Sequence, residues 1–263
     1  MRFEIWDLGL WGVRASVNIS AGLRFRPLKR TLLGMDGIIA LDKPAGISSA
    51  YAVTMVKRML PRGTKIGHAG TLDPFATGAL VLLVGKGTKL CERLMDSPKQ
   101  YLARAKLGAT TATDDLESPE VPGEVKEIPT LGQVIHALGT FVGKIRQMPP
   151  QFSALKVEGR RAYDLARKGE DVVLQAREVE VYGIAEVDYA WPYVSFLVDS
   201  GRGTYIRSIA RDLGQTLGVG GYLRGLRRNS VGKFGSVYPL VDVEHLVRNG
   251  IDQVALLLLG AAD

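Results

Sequence analysis

The sequence predicts an α+β fold built around a mixed sheet. Short apolar runs bounded by glycines, of which residues 79–84 are the clearest, are typical of buried strands. Residues 181–187 and 193–199 have the pattern of the two strands of a hairpin. The predicted helices occur at irregular intervals, without the regular strand–helix alternation of a parallel sheet, and this favours a mixed sheet.

The predicted elements begin at residue 37. A strand at 38–41 is followed by a helix that Ser48 or Ser49 caps, because a serine hydroxyl can accept a hydrogen bond from the first helical turn. The apolar face of this helix is predicted to contain Val53, Val56, Met59 and Leu60. The other predicted elements are strands at 79–84 and 101–107, a surface excursion at 110–128, a helix that Thr130 caps and that continues through Leu138 and Phe141, a helix with Ile206, Ile209, Leu213 and Leu217 on its apolar face, a helix that Asp242 caps, and a helix at 251–259.

Residues 1–34 differ from the rest of the chain. Trp6 and Trp11 occur among arginines without a helical or alternating period. A regular pattern starts only at Met35. We therefore expect residues 1–34 to be a disordered extension or an over-extended reading frame, and residues 35–263 to form the functional domain.

The composition favours a polyanionic partner and excludes several kinds of site. The chain has 34 Lys and Arg against 27 Asp and Glu, a net charge of +7, and such an excess favours nucleic acid. The single cysteine, Cys91, and three scattered histidines provide neither a disulfide framework nor a metal-ligand spacing, so no metal is expected. No apolar run approaches the roughly 20 residues of a membrane span, and we expect no membrane partner and a reducing, cytoplasmic setting.

One glycine-rich stretch, residues 67–78, concentrates reactive groups in a short loop. Asp73 precedes a proline, which favours an extended backbone at the carboxylate, and His68 lies five residues upstream. The buried strand at 79–84 follows at once. Such a loop can hold reactive groups still, and a surface turn capped by an aspartate is an equally good interpretation of this pattern alone.

The motifs of several common chemistries are missing from the sequence. It contains no dinucleotide fingerprint, no phosphate-binding loop, no serine-hydrolase elbow and no zinc-protease motif, so we expect no cofactor. An isolated carboxylate such as Asp73 can act as a covalent nucleophile if a cation such as Arg207 keeps it ionised. Tyr101 and Tyr205 offer rings on which an extruded base can stack.

Residues 144–168 contain a rigid turn at 148–153, and basic side chains mixed with aromatic ones follow it. This composition suits contact with a nucleic-acid backbone and its exposed bases. A solvated charged face on a short helix has the same pattern, so both interpretations stay open.

Several ordered motifs resemble those of the TruB-type tRNA pseudouridine synthases. The resemblance extends from about residue 35 to residue 243. The motifs that carry it are 41–46 (LDKPAG), 67–74 (GHAGTLDP), 99–101 (KQY), 203–207 (GTYIR), and the segments 149–159 and 218–228.

The resemblance implies a fold, a reaction and a role for each site residue. It implies a pseudouridine-synthase-like sheet, mainly antiparallel and flanked by helices, with 144–168 as an RNA-gripping insertion. In this family the residue matching Asp73 is the nucleophile that attacks a flipped uridine, Arg207 pairs with it, and Tyr101 stacks on the base and is placed to help with proton transfer. The remaining matches line the substrate pocket and are His68, Tyr205 and Leu226.

The resemblance also implies the partner, the T-arm of tRNA, with the uridine at position 55 as target. A monomer that needs no cofactor, metal or membrane is expected. The family's usual C-terminal RNA-binding module, often of the PUA kind, is expected to be absent.

Three alternatives are weighed against this function: a guide-RNA-dependent enzyme acting on ribosomal RNA, a non-catalytic RNA-binding or tRNA-folding protein, and a cofactor-free hydrolase. The presence of Asp73 argues against the second, and no partnered general acid is evident for the third.

Overall fold

The computed structural model describes residues 36–153, 156–157, 160–161 and 174–249, and it confirms the predicted α+β class. The predictions for residues 1–34, for most of 154–173 and for the helix at 251–259 therefore lie outside the described residues. The strands are β1 (Gly37–Lys43), β2 (Ile66–His68), β3 (Thr77–Val84), β4 (Lys99–Leu107), β5 (Ala109–Thr111), β6 (Glu120–Pro122), β7 (Gly143–Gln147), β8 (Lys156–Val157), β9 (Arg160–Arg161), β10 (Arg177–Ala190), β11 (Tyr193–Ser200), β12 (Gly221–Val231) and β13 (Val241–Asp242). The helices are α1 (Ser49–Lys57), a 3-10 helix (Gly85–Leu90), α2 (Cys91–Asp96), α3 (Leu131–Gly139), α4 (Ile206–Thr216) and α5 (Val243–Asn249).

A nine-stranded sheet forms the centre of the molecule, in the order β13-β1-β3-β12-β4-β11-β10-β7, with β2 paired to β3. The pairs β1–β13 and β3–β12 are parallel, and the other pairs in this sheet are antiparallel. The sheet is thus mixed and mainly antiparallel. The hairpin prediction is confirmed by β10 and β11, which pair directly.

Strand β3 is buried on both faces, as its continuous apolar run predicts. Leu80 and Leu82 pack with α1, whereas Val81 and Leu83 pack on the opposite face with Leu94 of α2. Successive side chains of a strand point to opposite faces, so a strand covered on both sides requires an unbroken apolar run. This rigid strand carries the 67–78 loop at its beginning.

Helix α1 begins where the sequence predicts but ends earlier. Ser48 is the N-cap, and its Oγ accepts a hydrogen bond from the backbone N–H of Tyr51 at 3.1 Å. The helix ends at Lys57, so Met59 and Leu60 are buried beyond it and not on its face. The physical reason is Pro61, because a residue that precedes proline is disfavoured in the helical conformation.

Three segments differ from the sequence-based expectation. The excursion at 110–128 is not wholly on the surface, because Asp115 within it is only 1% exposed. Residues 144–147 of the expected insertion form β7, which pairs with β10 in the central sheet. Strand β12 was missed altogether, because its arginines interrupt the apolar alternation that marks a strand.

Gly78 allows strands β3 and β12 to lie close together, because it has no Cβ. Its φ is +100°, and a Cβ added there would lie 2.2 Å from the carbonyl oxygen of Arg228. Gly143 has the same φ of +100°, but a Cβ there would meet nothing within 4 Å. A comparison of substitutions at the two glycines therefore distinguishes the cost of backbone strain from the cost of a steric clash.

We expect Gly78→Ala to destabilise the protein far more than Gly143→Ala. The backbone strain common to both substitutions costs about 1–2 kcal/mol, and the clash raises the loss at Gly78 to roughly 3–5 kcal/mol. Urea unfolding of both variants measures the difference. Equal losses would show that β12 can move away from β3 at little cost.

Candidate active site

The backbone on both sides of Asp73 is fixed by side chains and loops from the N-terminal part of the fold. Ser49 Oγ donates to the Leu72 carbonyl at 2.9 Å and accepts from the Leu72 N–H at 2.9 Å. After Asp73, the Pro74 carbonyl accepts from the Gly46 N–H at 2.9 Å and from Lys43 Nζ at 3.2 Å. The carboxylate between these two anchors is held in place while its side chain remains 30% exposed.

Lys43 is a fully buried cation that binds carbonyl oxygens. Its Nζ donates to Pro44 at 2.8 Å, to Ile47 at 2.9 Å and to Pro74. Burial lowers its pKa from the ordinary 10.5 to about 8; Asp73 acts in the opposite direction, and Arg228 lowers the pKa further. Lys43 therefore joins the loop that follows β1 to the turn that carries Asp73.

The titration of Lys43 predicts a pH dependence of stability. Folded Lys43 loses its proton near pH 8, whereas in the unfolded chain it keeps the proton until about pH 10.5. The unfolded chain binds more protons between these values, so this residue makes the free energy of unfolding rise with pH across that window. We expect Lys43→Met to remove this contribution, which is at most about 1.4 kcal/mol per pH unit.

Denaturant unfolding of the wild type and Lys43→Met near pH 7.5 and again near pH 9.5 tests this expectation. Other titrating groups, including Lys99, are present in both proteins and cancel in the difference. The stability of the wild type relative to the variant should increase at the higher pH. A difference that does not change with pH would contradict the lowered pKa.

Arg207 meets Asp73 across the fold. Its Nε lies 3.1 Å from Asp73 Oδ2, and its Nη2 lies 3.4 Å from Asp73 Oδ1. The guanidinium is 4% exposed and is positioned by the first turn of α4. The structure thus brings together the carboxylate and the cation that the sequence proposed as partners.

Asp115, which the sequence did not identify, shares the same guanidinium. Arg207 Nη1 lies 3.1 Å from Asp115 Oδ2 and donates to the Thr113 carbonyl at 3.0 Å. Asp115 Oδ1 accepts from Thr113 Oγ1 at 2.6 Å and from the Glu117 N–H at 2.9 Å. The only local signal was an aspartate that forms a turn with the residue two positions later, a feature common at surfaces.

The electrostatics of Asp73 are set by burial and by this pairing. Burial raises the pKa of the Asp73 carboxyl above its usual value, and Asp115 adds to the rise. Arg207 opposes it most strongly, followed by Lys43 and Arg228. A carboxylate that is partly desolvated is more basic and more nucleophilic when ionised, and nearby cations keep that ionised form accessible.

Tyr101 and Leu226 lie beside the loop on neighbouring strands. Both are nearly buried, at 8% and 7% exposure, in the apolar cluster that also contains Leu72 and Ala76. Strands β4 and β12, which carry them, pair directly. A tyrosine ring and an aliphatic side chain in the same apolar cluster as residues of the Asp73 turn are chemically suited to contact a flat, uncharged ring.

Tyr205 directly precedes α4 and is fixed through its backbone. The buried Gln147 side chain accepts from the Tyr205 N–H at 2.8 Å and donates to its carbonyl at 3.0 Å. The Arg177 guanidinium lies 5.7 Å from the centre of its ring. Since Tyr205 is two residues before Arg207, Gln147 helps to place both side chains.

His68 ends β2 at the other end of the loop and is half-buried. Its carbonyl oxygen lies 3.8 Å from Cys91 Sγ. This contact places Cys91 beneath the start of the loop. The role of His68 next to a flipped base stays a prediction.

The segment after β7 is attached to α4 at several points. The Met148 carbonyl accepts from Ser208 Oγ at 2.8 Å and from Arg211 Nη2 at 2.9 Å, and the Phe152 carbonyl accepts from Arg207 Nη2 at 2.8 Å. Arg207 and Arg211 share a helix face, as their spacing predicts. The stem of the predicted insertion is therefore bound to the same arginine as Asp73.

No cluster of three or more His, Cys, Asp or Glu that could hold a metal ion occurs in the part of the chain that the structure describes. In the same part, no helix is long and apolar enough to cross a membrane.

Known proteins resemble the chain over most of its length. Residues 57–206 match the family model described as TruB family pseudouridylate synthase (N terminal domain). The tRNA pseudouridine synthase B of Clostridium kluyveri is 44% identical over 212 residues, covering 81% of this chain and 72% of that protein. The tRNA pseudouridine synthase B of Xanthomonas campestris is 43% identical over 244 residues, covering 91% and 76%.

A solved structure shows the same fold. A chain in the crystal structure of a Cbf5-Nop10-Gar1 complex matches with a TM-score of 0.61 and 32% identity over 80% of this chain. This chain spans about half of the matched one, 53% of its length.

Proposed function

The chain belongs to the TruB family of pseudouridylate synthases, and from this premise we propose that it isomerises uridine to pseudouridine in tRNA, at position 55 of the T-loop. Membership confirms the resemblance inferred from the sequence and makes the protein an isomerase. The observation that carries the proposal is the placement of Asp73, which is anchored on both sides and lies 3.1 Å from a buried arginine.

In the proposed reaction Asp73 attacks the uracil ring or the C1′ carbon of its ribose. The bond between N1 and C1′ breaks, the uracil rotates, and a bond forms between C5 and C1′. The bond between Asp73 and the substrate breaks as well, which restores the free carboxylate. C5 then loses its proton and N1 gains one, so no atoms are added and no electrons are transferred to another molecule. Such a balance needs no redox cofactor, which agrees with the cofactor-free expectation from the sequence.

The base must leave its stack to reach Asp73. The apolar surface formed by Tyr101 and Leu226 supports this step, because it can receive the face of an extruded base. Tyr205, held by Gln147, is proposed to line the same pocket, and His68 is proposed to lie near the flipped base. In this proposal the apolar pocket receives the flat face of the base, and the charged Arg207–Asp73 pair lies beside it.

The T-arm is the proposed docking element of the RNA. The net charge of +7 and the basic insertion that follows residue 147 support contact with its phosphates. One copy of the chain supplies Asp73, Arg207, Asp115 and Tyr101, so we propose that it acts as a monomer. Its lone cysteine fits the reducing conditions of the cytoplasm, where we propose that it works.

Tritium release tests the proposed function. An unmodified tRNA transcript that carries C5-tritiated uridine should lose label when the protein is added without any other RNA. A matched transcript with cytidine at position 55 should lose none. Equal tritium release from the two transcripts would refute position 55 as the target. Binding of the transcript without tritium release would favour the RNA-folding alternative.

A further inference from the structure

Arg228 is a buried cation that the reaction described above does not use. Its side chain on β12 is 1% exposed. Among the residues that the structure describes, no carboxylate pairs with it, and its hydrogen bonds go to carbonyl oxygens. Burying a guanidinium without a counter-ion is costly, so the contacts that it makes need an explanation.

Those contacts join the backbone on the two sides of Asp73. Arg228 Nε donates to the Ala79 carbonyl at 2.6 Å, just after the loop. Its Nη1 and Nη2 donate to the carbonyls of Thr71 and Gly70, each at 3.3 Å, just before Asp73. A rigid fork with several donors suits this task, because one side chain can hold carbonyl groups from two chain segments.

The backbone of Arg228 lies next to two further parts of the site. It pairs with Gly78 of β3 on one side and with Tyr101 of β4 on the other. A Cβ at Gly78 would collide with the Arg228 carbonyl, so the two strands are in close contact here. Arg228 thus links the strand that carries the stacking tyrosine to the loop that carries the nucleophile.

The charge of Arg228 also acts on the site. It lowers the pKa of the Asp73 carboxyl, against the effect of burial, and it lowers the pKa of the Lys43 and Lys99 ammonium groups. A neutral residue of similar size would lack this effect even if it filled the same space.

We propose that Arg228 is a positioning residue for the isomerisation, holding the carbonyls of Gly70, Thr71 and Ala79 on either side of Asp73 so that Asp73 faces Arg207 and the Tyr101 ring. This proposal rests on the proposed function. The position of Asp73 depends on the geometry of that loop, and a misplacement of about 1 Å can lower a rate on the order of 100-fold.

Arg228→Met, Arg228→Lys and the control Arg104→Met test the proposal. Arg104 carries the same charge on β4, but its guanidinium lies over the Tyr193 ring, 4.5 Å from its centre. We expect Arg228→Met to lower the single-turnover rate at saturating tRNA on the order of 100-fold, with RNA affinity within about a factor of three. Arg228→Lys should recover part of the rate, and Arg104→Met should leave it unchanged.

Two further measurements separate positioning from folding. The acidic limb of the pH–rate profile should move to higher pH in Arg228→Met, because Asp73 loses a stabilising cation. Amide hydrogen exchange at residues 69–79 should become faster in that variant while the distant strand β10 keeps its protection. A near-normal rate in folded Arg228→Met, or a rate loss that matches the loss of folded protein alone, would overturn the proposal.

Amide hydrogen exchange also distinguishes failure of the proposed function from failure of the positioning role of Arg228. If the wild type releases no tritium but exchange at 69–79 quickens in Arg228→Met, the proposed function fails while Arg228 still holds the loop. If the wild type is active but exchange and rate are unchanged in the variant, the positioning role fails and the function stands.

Discussion

We expect Asp73→Asn to abolish tritium release while leaving tRNA binding largely intact. The amide has almost the same size as the carboxylate, so it keeps the pocket filled, but it is too weak a nucleophile to replace it. Loss of a nucleophile lowers turnover on the order of 10⁴-fold or more. The measurement is the single-turnover rate beside the dissociation constant for the same transcript.

A second carboxylate controls for loss of charge alone. Asp199 on β11 accepts a hydrogen bond from Gln100 Nε2 at 3.1 Å, away from the Asp73–Arg207 pair in the sequence of contacts described above. Asp199→Asn should keep near-normal turnover. Substantial turnover by Asp73→Asn would reject Asp73 as nucleophile, whatever the control shows.

We expect Arg207→Ala to remove most activity and also to destabilise the fold. It leaves Asp73 without its closest cation and Asp115 buried without a counter-ion, and loss of one partner from a buried ion pair typically costs about 3–5 kcal/mol. The rate of the folded fraction should fall on the order of 10³-fold, because Asp73 is no longer oriented or held ionised. The remaining activity should shift to higher pH, since the pKa of Asp73 loses the largest influence that lowers it.

Two further variants, Arg207→Lys and Arg211→Ala, show why Arg207→Ala should lose activity. Lysine keeps the charge but cannot reach Asp73, Asp115 and the Phe152 carbonyl together, so most of the rate loss should remain. Arg211 lies one turn later on the same face and binds Asp114 and the Met148 carbonyl instead. Its loss should spare turnover at saturating RNA. A normal rate in Arg207→Ala would contradict the proposed ion pair.

The sequence predicted what depends on residue type and local spacing. Asp73 and Arg207 were proposed as partners because a lone carboxylate in a rigid loop needs a cation, and the structure places them in contact although they are 134 positions apart. The β3 strand and the Ser48 cap follow from local pattern and were predicted for the same reason.

Asp115 and Arg228 could not be predicted, because their burial depends on contacts with distant segments. Charged side chains in polar stretches are usually exposed, and nothing in the local sequence distinguishes Asp115 from its neighbour Asp114. Arg228 is buried because its side chain lies against the carbonyls of Gly70, Thr71 and Ala79, a contact with a distant segment that cannot be inferred from a stretch rich in arginine.

The hydrogen bond from Arg207 to the Phe152 carbonyl has a thermodynamic consequence. The guanidinium that pairs with the Asp73 carboxylate also binds the backbone after β7, so any ligand that shifts Phe152 should change the free energy of the Asp73–Arg207 arrangement. Such coupling is reciprocal: whatever free energy the Asp73–Arg207 arrangement gains from one position of Phe152, that position of Phe152 gains from the arrangement. The order of the backbone after β7 and the orientation of the carboxylate are therefore linked through one guanidinium.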